Sequence, residues 1–464
     1  MAMSSGLGRP SPTRGPLTVH EGNPRYFADS SGRAVLLAGS HTWATLQEAG
    51  PVDPPEPFDW EGWVEFMVSH DHNFMRLWTW EHAKGGSWYD GDYFFTPVAW
   101  KRTGPGLAKD GKPKFDLTQF DADWFSRLRE RAVDSRDHGI YIAVMLFQGW
   151  SGGDKHYEPL GPNPWHGHPF NAQNNINGVD GSSPDGEGRE WVHTLRNPDV
   201  VRLLEAYVRE VIDTLNDLDN VLYEIGNEHE GSPAHTAWQY HMINYIHEYE
   251  LTKPVQHPVL MTSPWPNPDN RVVFASPAEA VSPMHWMGRD SDHWPDDPPA
   301  AYLGKVVVAD TDHLWGVGGT FDWVWRTFTR GHNLLYMDPY RYLHMDPVNP
   351  DGDEGARLAL GRAASLSRRV DLGEMIPRPD LASTGFALAA EGRDYLIYDP
   401  YGSPAKTAGE GRIYVDMTGV DGVFRVDWHH PVEDRSIKGD DITGGGIARL
   451  RKPDPGRWVA RVWR

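Results

Sequence analysis

Carboxylic acids end two short apolar runs in this chain. Glu228 closes Asn220-Val-Leu-Tyr-Glu-Ile-Gly-Asn-Glu228, and Asp310 and Asp312 follow Lys305-Val-Val-Val-Ala309. Two carboxyl groups facing each other across a cleft can hydrolyse a glycosidic bond. One protonates the leaving oxygen and the other acts as nucleophile or base. A separation of about 5 to 5.5 Å goes with retention of configuration, and about 6.5 to 9.5 Å with inversion. Asp is one methylene shorter than Glu, so an Asp partner needs a closer backbone or leaves room for a water. An isolated Asn-Glu pair weighs equally as a capping or salt-bridged surface acid, so the surrounding elements must decide.

Other side chains stand near these acids. Asn227 offers an amide to a sugar hydroxyl, and Arg76 can hold a nucleophilic carboxylate ionised. His285 and His313 can hydrogen-bond such a carboxylate. His41, Trp43, Trp80, Gln148, Trp150, Trp286 and Trp315 lie at or just beyond the ends of predicted strands and complete the candidate substrate-binding set. With 21 Trp, 18 Tyr and 16 Phe, part of the aromatic complement must be core. Trp78, Trp80, Trp88 and Trp100 lie in polar, glycine-containing sequence, where a core role is weaker and a flat face for a sugar ring is an alternative. Glu81 and Glu230 are outside candidates for acid chemistry.

The elements that must position these residues alternate between helix and buried strand. Asn197-Pro198-Asp199 is a helix start signal. Val200, Leu203, Leu204, Tyr207, Val208, Val211, Ile212 and Leu215 then recur at helical spacing before the strand that carries Glu228. A hairpin about Asp29-Ser-Ser-Gly-Arg33 leads into a first strand, followed by Ser40 to Trp43. Phe74–Trp78, Ile140–Leu146, Val259–Thr262, Ala280–Met284, Lys305–Ala309 and Asn333–Met337 read as further strands. Phe120–Asp137, Trp238–Tyr249 and Gly361–Arg369 read as helices. Eight single strands alternating with helices predict an α/β fold, a TIM (β/α)8 barrel, whose active site is built by the loops after the strands. No glycine-rich phosphate fingerprint follows the first strand, which argues against a dinucleotide-binding fold. The stretch 151–190 has little periodicity and is too long for a plain connection, so it reads as a functional loop over the barrel mouth. A closed pocket and exo-action fit it, and so does a lid over a cleft.

The expected organisation is a flexible N-terminus over 1–17, the barrel over 18–370 and a small all-β sandwich over 371–464. The last rests on short alternating strands at 395–398, 412–416, 424–428, 446–450 and 458–463. The formal charge of −21, from 44 basic and 65 acidic residues, disfavours nucleic acid and anionic membrane as partners. It fits a neutral or cationic partner, or simply a solubility margin or an adaptation to salt. The chain has no cysteine, which excludes disulfides and thiolate chemistry. No apolar window is long enough to span a membrane. The Gly/Ser/Pro-rich Met1–Pro16 has no apolar core, so a cytoplasmic location is expected as written, with secretion the alternative if the native leader differs. No cofactor or metal is expected, and the oligomeric state is open.

Arg76, Asn227-Glu228 after the fourth strand, His285 after the sixth and an acid after the seventh together resemble glycoside hydrolase clan A. More narrowly, Phe27–Gly39, Asn220–Glu228 and Arg330–Tyr340 are similar to the apiosidase-like and cellulase-related members of that clan. Those members often carry a C-terminal β-sandwich named for collagen binding, and Val426-Asp-Trp428, Gly444-Gly-Gly446 and Pro453–Val462 match its tail. The resemblance implies Glu228 as general acid/base and the strand-seven acid as nucleophile, with net retention. The clan has Glu where this chain has Asp312, which leaves the nucleophile and retention open. Asp312 is preferred to Asp310, because Asp310 lies closest to the buried strand and reads as an anchor.

Two other functions compete. A non-catalytic carbohydrate-binding barrel would show the same aromatics. A metal-dependent barrel hydrolase would draw on His41, His229, His285 and His313, but no His-x-His motif follows the first strand. The collagen name is not taken as a function of the tail.

Overall fold

The computed structural model describes residues 12–86, 88–152, 161–184, 190–284, 296–301, 304–340, 353–401 and 412–464. Eight strands form one sheet: β1 (Ala38–His41), β2 (Phe74–Leu77), β3 (Tyr141–Gln148), β4 (Val221–Asn227), β5 (Val259–Thr262), β6 (Ala280–Ser282), β7 (Val306–Asp310) and β8 (Asn333–Met337). Neighbours follow the order β1-β8-β7-β6-β5-β4-β3-β2, the cyclic order of a (β/α)8 barrel. Pairing is parallel from β2 through β6, and again between β7 and β8. β3 and β4 are buried along their whole length. A parallel strand covered on both faces needs a near-continuous apolar run, and these sequences supply it.

The helices are α1 (Trp60–Ser69), α2 (Ala122–Asp137), α3 (Pro198–Leu215), α4 (Pro233–Glu250), α5 (Asn270–Phe274), α6 (Thr311–Leu314), α7 (Phe321–Thr329) and α8 (Glu354–Ser367). The start signal before α3 works as read: the Asn197 side chain accepts from the Asp199 and Val200 N–H groups, and Pro198 occupies the first turn. All eight residues of the helical pattern are buried. α4 begins earlier than its apolar pattern, because Ser232 caps it and Pro233 fits its first turn.

Two compact units divide the chain: residues 1–17, 41–68 and 74–284 make the first, and 18–40, 69–73 and 285–464 the second. In the first unit an antiparallel ribbon, Trp100–Leu107 with Pro113–Phe120, precedes α2. The sequence reading did not foresee it, since Gly104, Pro105 and Gly106 interrupt the alternation and shift the register. Trp78, Trp80 and Trp100 are buried, a correction to the weaker core role expected of them. Trp100 packs edge-on against Phe170 and tilted against Tyr207, so its polar sequence neighbours say little about its spatial ones.

In the second unit the C-terminal region is all β. Strands 376–377, 387–390, 394–399, 458–463, 423–429 and 436–438 follow one another across an antiparallel sheet, and 412–416 pairs with 447–451 in a second. One core joins the sheets through Ala387, Tyr395, Ile397, Ile413, Val415, Trp428, Leu450 and Val462. Alternate residues of the same strands, Leu388, Leu396 and Tyr398, face the other way into a core with Trp325, Phe328, Ala359 and Ala363 of α7 and α8. This explains why Asp394–Asp399 is apolar on both faces while Val423–His429 alternates. Among the described residues no helix is long and apolar enough to cross a membrane.

Candidate active site

β4 ends at Asn227, and Glu228 follows in the left-handed region at φ 47°. Such a conformation is uncommon outside glycine and persists only where surrounding contacts hold it. Here the Glu228 N–H donates to Thr262 Oγ1 at 3.3 Å, and that hydroxyl donates to the Gly226 carbonyl at 2.7 Å. The Glu228 side chain is buried, with the Trp150 indole Nε1–H donating to its Oε2 at 2.7 Å. Trp150 lies on the 3-10 turn Gly149–Ser151 that follows β3. A methyl group at position 149 would run into the Glu228 carbonyl, so only glycine permits this close approach.

Behind these residues lies a buried polar network. Gln148 Oε1 accepts from the Trp150 N–H at 3.1 Å and from Asn227 Nδ2 at 3.4 Å. The Gln148 N–H donates to Glu81 Oε1 at 2.8 Å. His193 Nε2 stands 3.0 Å from Glu81 Oε1, and His168 Nε2 stands 3.6 Å from Oε2. Burial works to raise Glu81, but the charge and hydrogen bond of His193, with His168 close by, outweigh it and hold the carboxyl below its ordinary range. Burial keeps His82 neutral, pushed down to about 3, with His168 adding to the effect. Its ring bonds Ser151 Oγ at 2.7 Å and the Gly85 carbonyl at 3.1 Å. Trp88 and Trp150 are half-buried and meet edge to face at 6.2 Å. Thr79 Oγ1, Trp88 Nε1, Gln148 Nε2 and Ser263 Oγ are buried without a hydrogen-bond partner among the described residues. Thr79 and Trp88 follow β2, Gln148 ends β3 and Ser263 follows β5.

In the second unit Asp310 ends β7 and caps α6, its Oδ1 accepting from the Asp312 N–H at 3.0 Å. Thr311 Oγ1 accepts from the Met337 N–H at 2.8 Å, which fixes the start of α6 against β8. Asp310 is fully buried, whereas 12% of the Asp312 side chain remains exposed. Of the two, Asp312 is thus the one with access to solvent. His313 is buried, its ring nitrogens 3.9 Å from Asp310 Oδ2 and 3.8 Å from Asp312 Oδ2. Trp315 is exposed, its indole N–H donating to the Gly318 carbonyl at 2.9 Å and its ring lying edge-on to Trp323.

Residues 76–263 match the family model of a domain of unknown function, DUF6298. A comparison with curated proteins finds no match. Several solved structures share the architecture. One described as a glycoside hydrolase aligns with a TM-score of 0.60 at 11% identity, covering 97% of this chain and 97% of that one. A family 5 glycoside hydrolase from Bacteroides vulgatus aligns with a TM-score of 0.57 at 10% identity, covering 96% and 93%. A maltogenic alpha-amylase from Thermotoga neapolitana gives 0.50 at 10% identity, covering 92% and 99%. At these identities the likeness is one of fold, and it extends over the C-terminal β region as well as the parallel sheet.

The other sequence candidates fall in different surroundings. Arg76 is enclosed, its Nε donating to Glu224 Oε2 at 2.8 Å and its guanidinium 5.3 Å from the Trp78 ring centre. His41 is buried and stacks on Trp78 at 5.5 Å. Trp43 and Trp80 are buried together, with the Trp80 indole donating to the Trp43 carbonyl at 2.9 Å. His229 packs edge-on against His193 and Trp238. Glu230 pairs with His235 at 3.2 Å. His285 and Trp286 lie outside the described residues, as does part of the stretch 151–190. Sequence reasoning passed over Glu224, His168 and His193. For Glu224 a signal existed: an acid inside a strand buried on both faces requires a buried cation, and Arg76 is the cation of β2.

Proposed function

We propose that this protein is a glycoside hydrolase with Glu228 as the general acid/base and Asp312 as the second carboxylate, acting on oligo- or polysaccharides. The observation that carries this reading is Glu228 itself: a buried acid beyond the C-terminal end of a parallel strand, held at positive φ with its carboxylate oriented by an indole donor. Polyhydroxylated substrates suit the setting, since Trp88 and Trp150 offer half-buried aromatic faces. Asp310 serves as helix cap and anchor rather than as a reacting group. Residues 18–370 form the catalytic domain in this reading and 371–464 an appended β domain. The retaining mechanism has Asp312 attack the anomeric carbon, and the inverting one has it activate a water.

The test is a panel of aryl glycosides and of plant and microbial polysaccharides, assayed with wild type and Glu228→Gln. The variant should lose about 10²- to 10⁴-fold in kcat/KM, the range a general acid/base supplies. Full activity in the variant overturns the acid/base assignment. NMR of the first-formed anomer separates retention from inversion, and inversion recasts Asp312 as a base. A wild type inactive on the whole panel that still binds sugars favours a carbohydrate-binding barrel. Loss of hydrolysis on treatment with a chelator, restored by a divalent ion, favours a metal-dependent hydrolase.

A further inference from the structure

We infer that Trp150 is a positioning residue for the proton of Glu228, fixing which carboxyl oxygen carries it. This rests on the assignment of Glu228 as the acid. An indole N–H is a donor only, so wherever it bonds a carboxyl group it needs an accepting oxygen. In the protonated acid the carbonyl oxygen is the better acceptor and the hydroxyl oxygen the poorer one. The indole at 2.7 Å from Oε2 therefore makes Oε2 the carbonyl oxygen and places the proton on Oε1. As the glycosidic C–O bond breaks, its electron pair passes to the leaving oxygen, which takes the Oε1 proton while the anomeric carbon is captured by the attacking carboxylate or water. The charge left on Glu228 then meets an N–H already in place, which strengthens that bond at the moment the charge develops.

The surroundings of Trp150 fit a fixed donor better than a mobile sugar platform. Its backbone N–H is held by Gln148 Oε1, and Gln148 is in turn held by buried Glu81 between His193 and His168. The ring abuts Trp88 edge to face, and the turn beneath it presses on the Glu228 carbonyl through Gly149. The backbone that carries the indole is thus fixed, and Trp88 abuts the ring itself.

Two substitutions separate positioning from stacking: Trp150→Phe keeps an aromatic face and loses the donor, while Trp150→Leu loses both. The readout is kcat for glycosides of poor leaving groups, which need the acid, against dinitrophenyl glycosides, which need it little. Trp150→Phe should lower kcat for methyl or alkyl glycosides about 10- to 100-fold, the worth of a hydrogen bond to a charged group, and by a much smaller factor for dinitrophenyl glycosides. An equal loss on both classes, or a loss confined to KM, would make Trp150 a platform only and overturn the inference. Glu228→Gln in the same series keeps the two claims apart. If it shows the steep leaving-group dependence and Trp150→Phe does not, only the positioning role falls. If it shows none, the acid assignment falls, and the inference with it.

Discussion

Arg76 and Glu224 are charged side chains with no exposure at all, on strands buried from end to end. Each removes from its partner the cost of an unpaired charge in a low-dielectric interior. Arg76→Met should therefore destabilise the fold by about 3–5 kcal/mol, because it takes the paired guanidinium away from the buried Glu224 carboxylate. Adding Glu224→Met should recover most of that loss, since a buried pair exchanged for apolar residues is often neutral. Urea unfolding of the three proteins checks this, and a single variant within about 1 kcal/mol of wild type would mean that Glu224 finds compensation elsewhere. The pairing also shows which residue roles could be read from the chain. The place of Glu228, directly past a buried strand, was legible because the apolar run before it is continuous. From sequence Glu81 reads only as an outside candidate, because its neighbours His168 and His193 lie far along the chain. A buried ionic cluster assembled from distant loops leaves no local pattern.

The turn Gly149–Ser151 joins β3 to the long loop and presents Trp150 to Glu228, and its geometry depends on one missing methyl group. Gly149→Ala would drive a Cβ into the Glu228 carbonyl, and backbone cannot yield as a flexible side chain can. We expect the variant to fold less stably by about 1–3 kcal/mol and to lose activity more than stability, since the displaced group is the peptide of the proposed acid. Gly446→Ala is the matched control: nothing stands within 4 Å of a methyl group there. It should change stability by no more than about 0.5 kcal/mol. Thermal melts beside kcat/KM for both variants decide the matter, and equal behaviour of the two would remove the steric argument. Elements of this kind differ in how well the sequence declares them. β4 and α3 were legible because their apolar patterns are continuous and capped by Asn197 and Pro198. The ribbon Trp100–Leu107 with Pro113–Phe120 was not, because its register shifts at the Gly104-Pro105-Gly106 segment break the two-residue period on which a strand is recognised. The short C-terminal strands 436–438 and 442–443 also escaped, being too brief for any period to emerge.

Across the whole molecule, burial leaves several histidines neutral. It pushes His72 and His82 down to about 3, and His332 and His429 to about 4, in each case with burial as the largest cause. Further positive neighbours add to this: His70 and Arg357 for His72, Arg330 and Arg25 for His332, and Arg369 for His429. In the unfolded chain these rings take up protons below their ordinary value of about 6.5, while in the folded chain they do not. The unfolded state therefore binds more protons, and stability must fall as the pH falls through that window. The stabilisation is complete above about pH 6.5 and drains toward pH 3 to 4. Glu81 acts with the same sign at lower pH, since a carboxyl held below its ordinary range stabilises the fold above that range and loses the effect on acidification. Each fully buried histidine contributes up to about 2 kcal/mol of loss between pH 6.5 and 5. Urea midpoints at pH 7 and pH 5 should differ clearly, and His82→Gln or His332→Gln should flatten the difference by removing one titrating ring. A midpoint that stays level between those pH values would show that the rings are protonated in the folded protein, and the burial account of them would fail. The histidine-rich composition, which from sequence could be read as metal ligands, would then need another explanation than packing.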